Sequence, residues 1–198
     1  MSTDRDAENT AAMMSPEAAH RRIKTALDGV LSAFLPHRPK AMLLFGSAAA
    51  YLDTAGSAPA PNDVDVLVVG DLLMAACDTE AFPIPVEIHR FRTEEMLSVA
   101  RTLRYFPKPI ALPRLYGKAV VQQHSRNIIA ACLLLGPTYR DFGIEQIDID
   151  GIEDTRDYSR HRILHGHDWW CRLQTFARER RTVIEHLADR IVGADQFR

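Results

Sequence analysis

The 198-residue sequence predicts an α/β (α+β) fold, with short strands in its front half and helices dominating its back half. Three observations carry that expectation. Short apolar runs recur at Ala41 to Phe45 and Val64 to Val69, each bounded by Gly, Pro or Asn. Ile23, Ala26, Leu27, Val30, Leu31 and Leu35 repeat at helical spacing ahead of them. Two long helical patterns follow, from Arg114 to Leu135 and from about Tyr158 to Val192.

Ser15-Pro16-Glu17 supplies a capping hydroxyl and a proline at the first helical position, so the first helix starts there and stops near Pro36. The run from Ala41 to Phe45 reads as a buried strand ending at Gly46-Ser47, and Val64 to Val69 as a second strand. A third candidate strand spans Ile84 to Phe91. Pro83 and Pro85 direct its start to an edge or entry position, because proline donates nothing to a ladder. Thr93-Glu94-Glu95 opens a helix through Ala100, and Pro107, Pro109 and Pro113 break the chain after it. Gly136-Pro137 ends the long helix that follows. Residues 1–14 read as a flexible polar tail, 15–105 as the α/β domain and 106–198 as a helical C-terminal region.

Apolar residues at 46% and charged residues at 25% exclude a collagen-like or wholly disordered chain. A net charge of −2 argues against a protein that coats nucleic acid through an overall positive field. The charge is unevenly spread, however. Residues 81–140 hold nine basic side chains against three acidic ones, a basic segment suited to a triphosphate or a polyanionic acceptor. The longest apolar run, Ile128 to Leu135, is far shorter than the roughly 20 residues of a membrane span, so no membrane partner is expected. Cys77, Cys132 and Cys171 are odd in number, widely spaced and set among apolar neighbours, which fits reduced thiols in the cytoplasm.

The chemistry concentrates in two stretches. In Asn62-Asp63-Val64-Asp65-Val66, strand alternation turns Asp63 and Asp65 to one face. Side-by-side carboxylates repel unless a cation lies between them, and Mg²⁺ is the hard ion that one or two carboxylates plus substrate phosphates commonly hold. Glu87, flanked by Val86 and Ile88, converges on them if its strand lies beside theirs. Gly46-Ser47 follows a strand directly, where a missing Cβ and a hydroxyl allow backbone and side chain to approach a phosphate.

This ordered set of Gly46-Ser47, Asp63-Val64-Asp65 and Glu87 resembles the DNA polymerase β-like nucleotidyltransferase superfamily, and most of all its small members, over roughly residues 41–91. The resemblance implies a short mixed sheet of the nucleotidyltransferase type with helices on one side, so that residues 15–105 would be the nucleotidyltransferase domain. It implies that Gly46 and Ser47 hold the triphosphate, that Asp63 and Asp65 bind two Mg²⁺ ions, for which Mn²⁺ can substitute, and that Glu87 shares a metal and helps deprotonate the acceptor. The reaction implied is transfer of a nucleoside monophosphate from an NTP, ATP foremost, to a hydroxyl on a protein, an RNA or a small molecule, with release of pyrophosphate. Arg114 and Lys118, on the helix after the Pro-rich break, are candidate phosphate contacts. Two departures stand out: an insertion from Thr54 to Pro61, and Ala48-Ala49-Ala50-Tyr51 where small members often carry an arginine. They motivate a second expectation, a nucleotidyltransferase-fold module with little or no turnover that binds a partner protein, as an antitoxin does; a homo-oligomer is a further partner state.

The run Arg160-His161-Arg162-Ile163-Leu164-His165 carries two histidines four apart, which on a helix would share a face. No His-Glu-x-x-His or cysteine partner accompanies them. Arg160 and His165 also reproduce the Arg-x4-His spacing of HEPN-type ribonucleases, a pattern short enough to arise by chance. The simpler expectation is that these side chains face a phosphate or base.

Overall fold

The structure is a computed structural model that describes residues 15–71, 77–102, 118–137, 139 and 158–179. Within these residues the chain builds a mixed four-stranded sheet with helices, as the α/β class predicts. Helix α1 (Pro16–Phe34) begins where Ser15 Oγ accepts from Ala18 N at 3.2 Å, and a 3₁₀ turn over Leu35–His37 follows it. Strand β1 (Ala41–Phe45) runs directly into helix α2 (Gly46–Asp53). Strands β2 (Val64–Val69) and β3 (Val86–Phe91) come next, then helices α3 (Thr93–Thr102) and α4 (Lys118–Leu135). Strand β4 (His161–His165) and helix α5 (residues 167–179) complete the described chain. The expected N-terminal tail and the Pro-rich break lie outside the described residues.

The strand order is β3-β2-β1-β4. β1 is antiparallel to both of its neighbours, whereas β2 and β3 run parallel. All five residues of β1 are buried, because it is a central strand with a covered face on either side. Met42, Leu44, Val64, Val66 and Val68 pack against α1 and α2. Ala41, Leu43, Phe45, Leu67 and Val69 pack on the opposite face against α3, α4 and α5. Helices therefore cover both faces, not one as the resemblance implies. The sequence reason is continuous apolarity: a strand such as Ala-Met-Leu-Leu-Phe has no polar side to turn towards water.

The largest correction concerns the C-terminal region. A single helix is expected from about Tyr158, yet His161–His165 is a strand hydrogen-bonded to β1. Without β4, one edge of a buried strand would keep unpaired backbone groups, and that requirement overrides local helical periodicity. Gly166, at φ +74°, then turns the chain into α5, whose Trp170 N–H bonds the Gly166 carbonyl at 3.0 Å. Trp170, Leu173 and Ala177 of α5 enter the core at helical spacing. Gln174 Nε2 donates to the Leu133 carbonyl at 3.0 Å and an Arg178 guanidinium nitrogen to that of Leu135 at 3.3 Å, satisfying carbonyls that the end of α4 leaves unpaired.

His161 belongs to this packing. Its Nδ1 donates to the Ser159 carbonyl at 3.0 Å, and its Nε2 accepts from Trp170 Nε1 at 3.2 Å. Since a carbonyl only accepts and an indole only donates, both bonds require the neutral Nδ1–H tautomer. Burial is the main cause that pushes the His161 pKa below its ordinary value; the Ser159 bond, next in size, pulls the other way, Arg178 adds to the lowering and Asp53 opposes it.

Two outcomes follow from this architecture. A Cβ on Gly166 would sit 2.0 Å from the Lys40 carbonyl oxygen, a backbone atom immediately ahead of β1. Gly166→Ala is expected to lose about 3 kcal/mol or more in urea unfolding. For His161, a folded pKa lowered from its unfolded value near 6.5 gives stability that is complete above that value and falls with pH below it, as the unfolded chain takes up the proton first. The stability advantage of wild type over His161→Gln should therefore shrink as pH drops from about 7.5 to about 5, measured by unfolding at each pH.

Candidate functional site

Strand register builds the site. Phe45, the last residue of β1, pairs with Asp65 of β2, so the next residue, Gly46, turns beside the Asp65 side chain. Gly46 adopts φ +68°, and a Cβ there would lie 2.4 Å from Asp65 Oδ2. Any other residue would both strain the turn and displace the carboxylate, so the glycine is a packing requirement of the acid beside it. Ser47 begins the first turn of α2, with its Oγ 3.5 Å from Asp63 Oδ1, at the outer limit of a hydrogen bond.

On the other side of β2, the parallel register sets Asp65 beside Glu87 and Leu67 beside His89. Alternation places Asp65, Glu87 and His89 on one face of the sheet. His89 Nε2 lies 3.4 Å from Glu87 Oε1 and 3.8 Å from Asp65 Oδ1. Among the described residues these three form a group whose ligand atoms all lie within 4.8 Å of one another. Their depths differ. The Asp65 and His89 side chains are 14% and 12% exposed, whereas Glu87 is 66% exposed and stands at the rim. The His89 ring meets the Phe45 ring edge-on, with centroids 5.2 Å apart.

Gly46, Ser47, Ala50, Asp63 and Asp65 line a cavity of about 290 Å³, which Tyr158 and Arg160 complete from the segment entering β4. A larger hollow of about 430 Å³, between the start of α1 and the end of α2, adjoins none of these acids.

Of the residues singled out in sequence, Gly46, Ser47, Asp63 and Asp65 share the cavity wall, and Glu87 adjoins Asp65 from β3. Asp63 stands on the Ser47 side and is not part of the Asp65–Glu87–His89 group. Lys118 is the first residue of α4; its side chain lies outside the described residues, as does all of Arg114. His89 went unread in the sequence although the signal was present, since Glu87-x-His89 has the same alternation as Asp63-x-Asp65. Arg160, which the sequence reading sets against a phosphate or base, lines the candidate cavity.

The paired-histidine and Arg-x4-His patterns lose their basis. Both assume a helix or a compact pair, but the segment is extended, so Arg160 and His165 stand five residues, or about 16 Å, apart. At three of the four positions the absent arginine after Gly46-Ser47 has a physical account. Ala48, Ala49 and Tyr51 are buried in the core beside α1, and the Tyr51 hydroxyl donates to the Pro16 carbonyl at 3.0 Å. A long cation at these three positions would have no route to the cavity, whereas Ala50 lines it.

The chain matches no protein-family model, no curated protein and no solved structure. No helix among the described residues is long and apolar enough to cross a membrane.

The Gly46 geometry is directly testable. In Gly46→Ala the clashing partner is the end of a side chain, not backbone as at Gly166, so the carboxylate can swing away. The variant should lose about 1–2 kcal/mol in urea unfolding, less than Gly166→Ala.

Proposed function

We propose that this chain is a divalent-metal-dependent nucleotidyltransferase, moving a nucleoside monophosphate from an NTP, with ATP the preferred donor, to a hydroxyl on a protein, an RNA or a small molecule. The observation that carries the reading is the Gly46-Ser47 turn packed against Asp65 at a cavity that Asp63 also lines, with Glu87 adjoining on the next strand. That combination suits a polyphosphate: an open backbone approach, a hydroxyl, and carboxylates able to hold its counter-cations.

The carboxylates fit a hard divalent ion, since Asp65 and Glu87 stand side by side and Asp63 lines the same cavity as Asp65. Bound there by Asp63, Asp65 and Glu87, two such ions would neutralise phosphate charge and stabilise the attacking and leaving oxygens. The chain's own contribution is positioning. Ser47 and the turn amides hold phosphate oxygens, and Arg160, from the segment entering β4, adds positive charge. The acceptor oxygen forms a bond to the α-phosphorus as the bond to the bridging oxygen breaks, and pyrophosphate leaves. The acceptor proton passes to Glu87, whose exposed position at the rim suits an acceptor arriving from solvent. Cys77, Cys132 and Cys171 form no disulfide with one another, which fits the reducing cytoplasm as the site of action.

The test is transfer of α-labelled nucleotide, with Mg²⁺ or Mn²⁺, to acceptors in a cell extract. Labelling should fall by at least about 100-fold in Asp63→Ala and Asp65→Ala. If wild type transfers no more label than these variants, the enzymatic reading fails. A stoichiometric complex with a partner protein in its place would favour the non-catalytic module.

A further inference from the structure

Asp65, Glu87 and His89 offer two oxygens and one nitrogen at one point of the sheet, and the nitrogen has no part in the reading above. We infer that His89 Nε2 is a direct ligand of the cation held at this site, so that the site prefers a first-row transition ion such as Mn²⁺ to Mg²⁺. The inference rests on the nucleotidyl-transfer reading only for what the ion does, and not for its binding.

Geometry comes first. Ligand atoms about 2.0–2.2 Å from a common ion lie about 3–3.5 Å apart at neighbouring corners of a tetrahedron or octahedron. His89 Nε2 is already 3.4 Å from Glu87 Oε1 and 3.8 Å from Asp65 Oδ1, near those separations, and all three ligand atoms lie within 4.8 Å of one another. The imidazole is also held in advance. Its side chain is only 12% exposed, and its ring rests edge-on against Phe45, which is fully buried. A ring fixed in this way loses little further freedom on binding an ion.

The chemistry then sets the preference. Mg²⁺ favours oxygen and keeps its waters, whereas an imidazole nitrogen strengthens binding of transition ions along the Irving–Williams order.

The experiment uses the full chain and the metal alone. Mn²⁺ binding is followed by loss of the free-ion electron paramagnetic resonance signal, with Mg²⁺ as competitor, and spin-echo modulation of the bound ion reports any coordinated ¹⁴N. The expected result is ¹⁴N modulation in wild type and Mn²⁺ binding at least about tenfold tighter than Mg²⁺. In His89→Ala the modulation should vanish, with Mn²⁺ affinity about tenfold or more weaker. Bound Mn²⁺ without ¹⁴N modulation, an absence of Mn²⁺ binding, or unchanged affinity in His89→Ala overturns the inference. The wild-type spectrum decides even if the variant does not fold. Label transfer without a nitrogen signal would remove His89 as a ligand and leave the nucleotidyl-transfer reading standing; a nitrogen signal without label transfer would do the reverse.

Discussion

The pairing of Phe45 with Asp65 across β1 and β2 is the constraint on which the rest of the molecule turns. It joins a fully buried ring to an ionisable group at the end of the same ladder, where the sheet passes from core to cavity. Below that rung both strands are covered on each face and hold only apolar side chains. At that rung a carboxylate takes up the space a Cβ would need, and the chain answers with glycine at positive φ. The same phenylalanine supports His89 from the next strand but one. The packing of the core and the aim of the polar groups are therefore one arrangement and not two.

The sheet also explains why the cavity has walls from distant parts of the sequence. β2 and β3 run parallel, so the acids at their matching positions come together with no loop between them. β1 delivers the Gly46-Ser47 turn from the other side because it runs antiparallel to β2. β4, antiparallel to β1, brings the Tyr158–Arg160 segment to the same end of the sheet. Strand direction alone thus collects polar residues from four separate segments. Arg162 adds a peripheral tie at 3.3 Å to Asp53 at the end of α2, where both side chains are half-exposed and such a pair contributes little.

Much of this was legible in the sequence because its causes are local. Ser15-Pro16 marks the start of α1, Pro83 and Pro85 leave β3 at an edge, and Gly136 follows the last residue of α4. Gly46, Asp63, Asp65 and Glu87 could be singled out from alternation and the behaviour of carboxylates. β4 could not, because His161 to Leu164 adopts a strand only to satisfy β1, about 120 residues earlier. His161 was misleading for the same reason: its four-residue spacing from His165 mimics a helical pair, whereas its ring is occupied by Ser159 and Trp170. Both-sided coverage of the sheet was hidden as well, since it depends on where α3, α4 and α5 return and not on their own patterns.

The placement of β4 bears on how the chain is made. At ribosomal rates of about 5–20 residues per second, β1 emerges roughly 6–24 seconds before the strand that must cover its edge. Through that interval an apolar five-residue strand presents open hydrogen-bonding groups to its surroundings, a template for pairing with another nascent chain. The protein's most vulnerable state is thus a stage of its own synthesis, ended when the His161–His165 segment arrives, and chaperone demand should depend on how quickly translation crosses the intervening stretch.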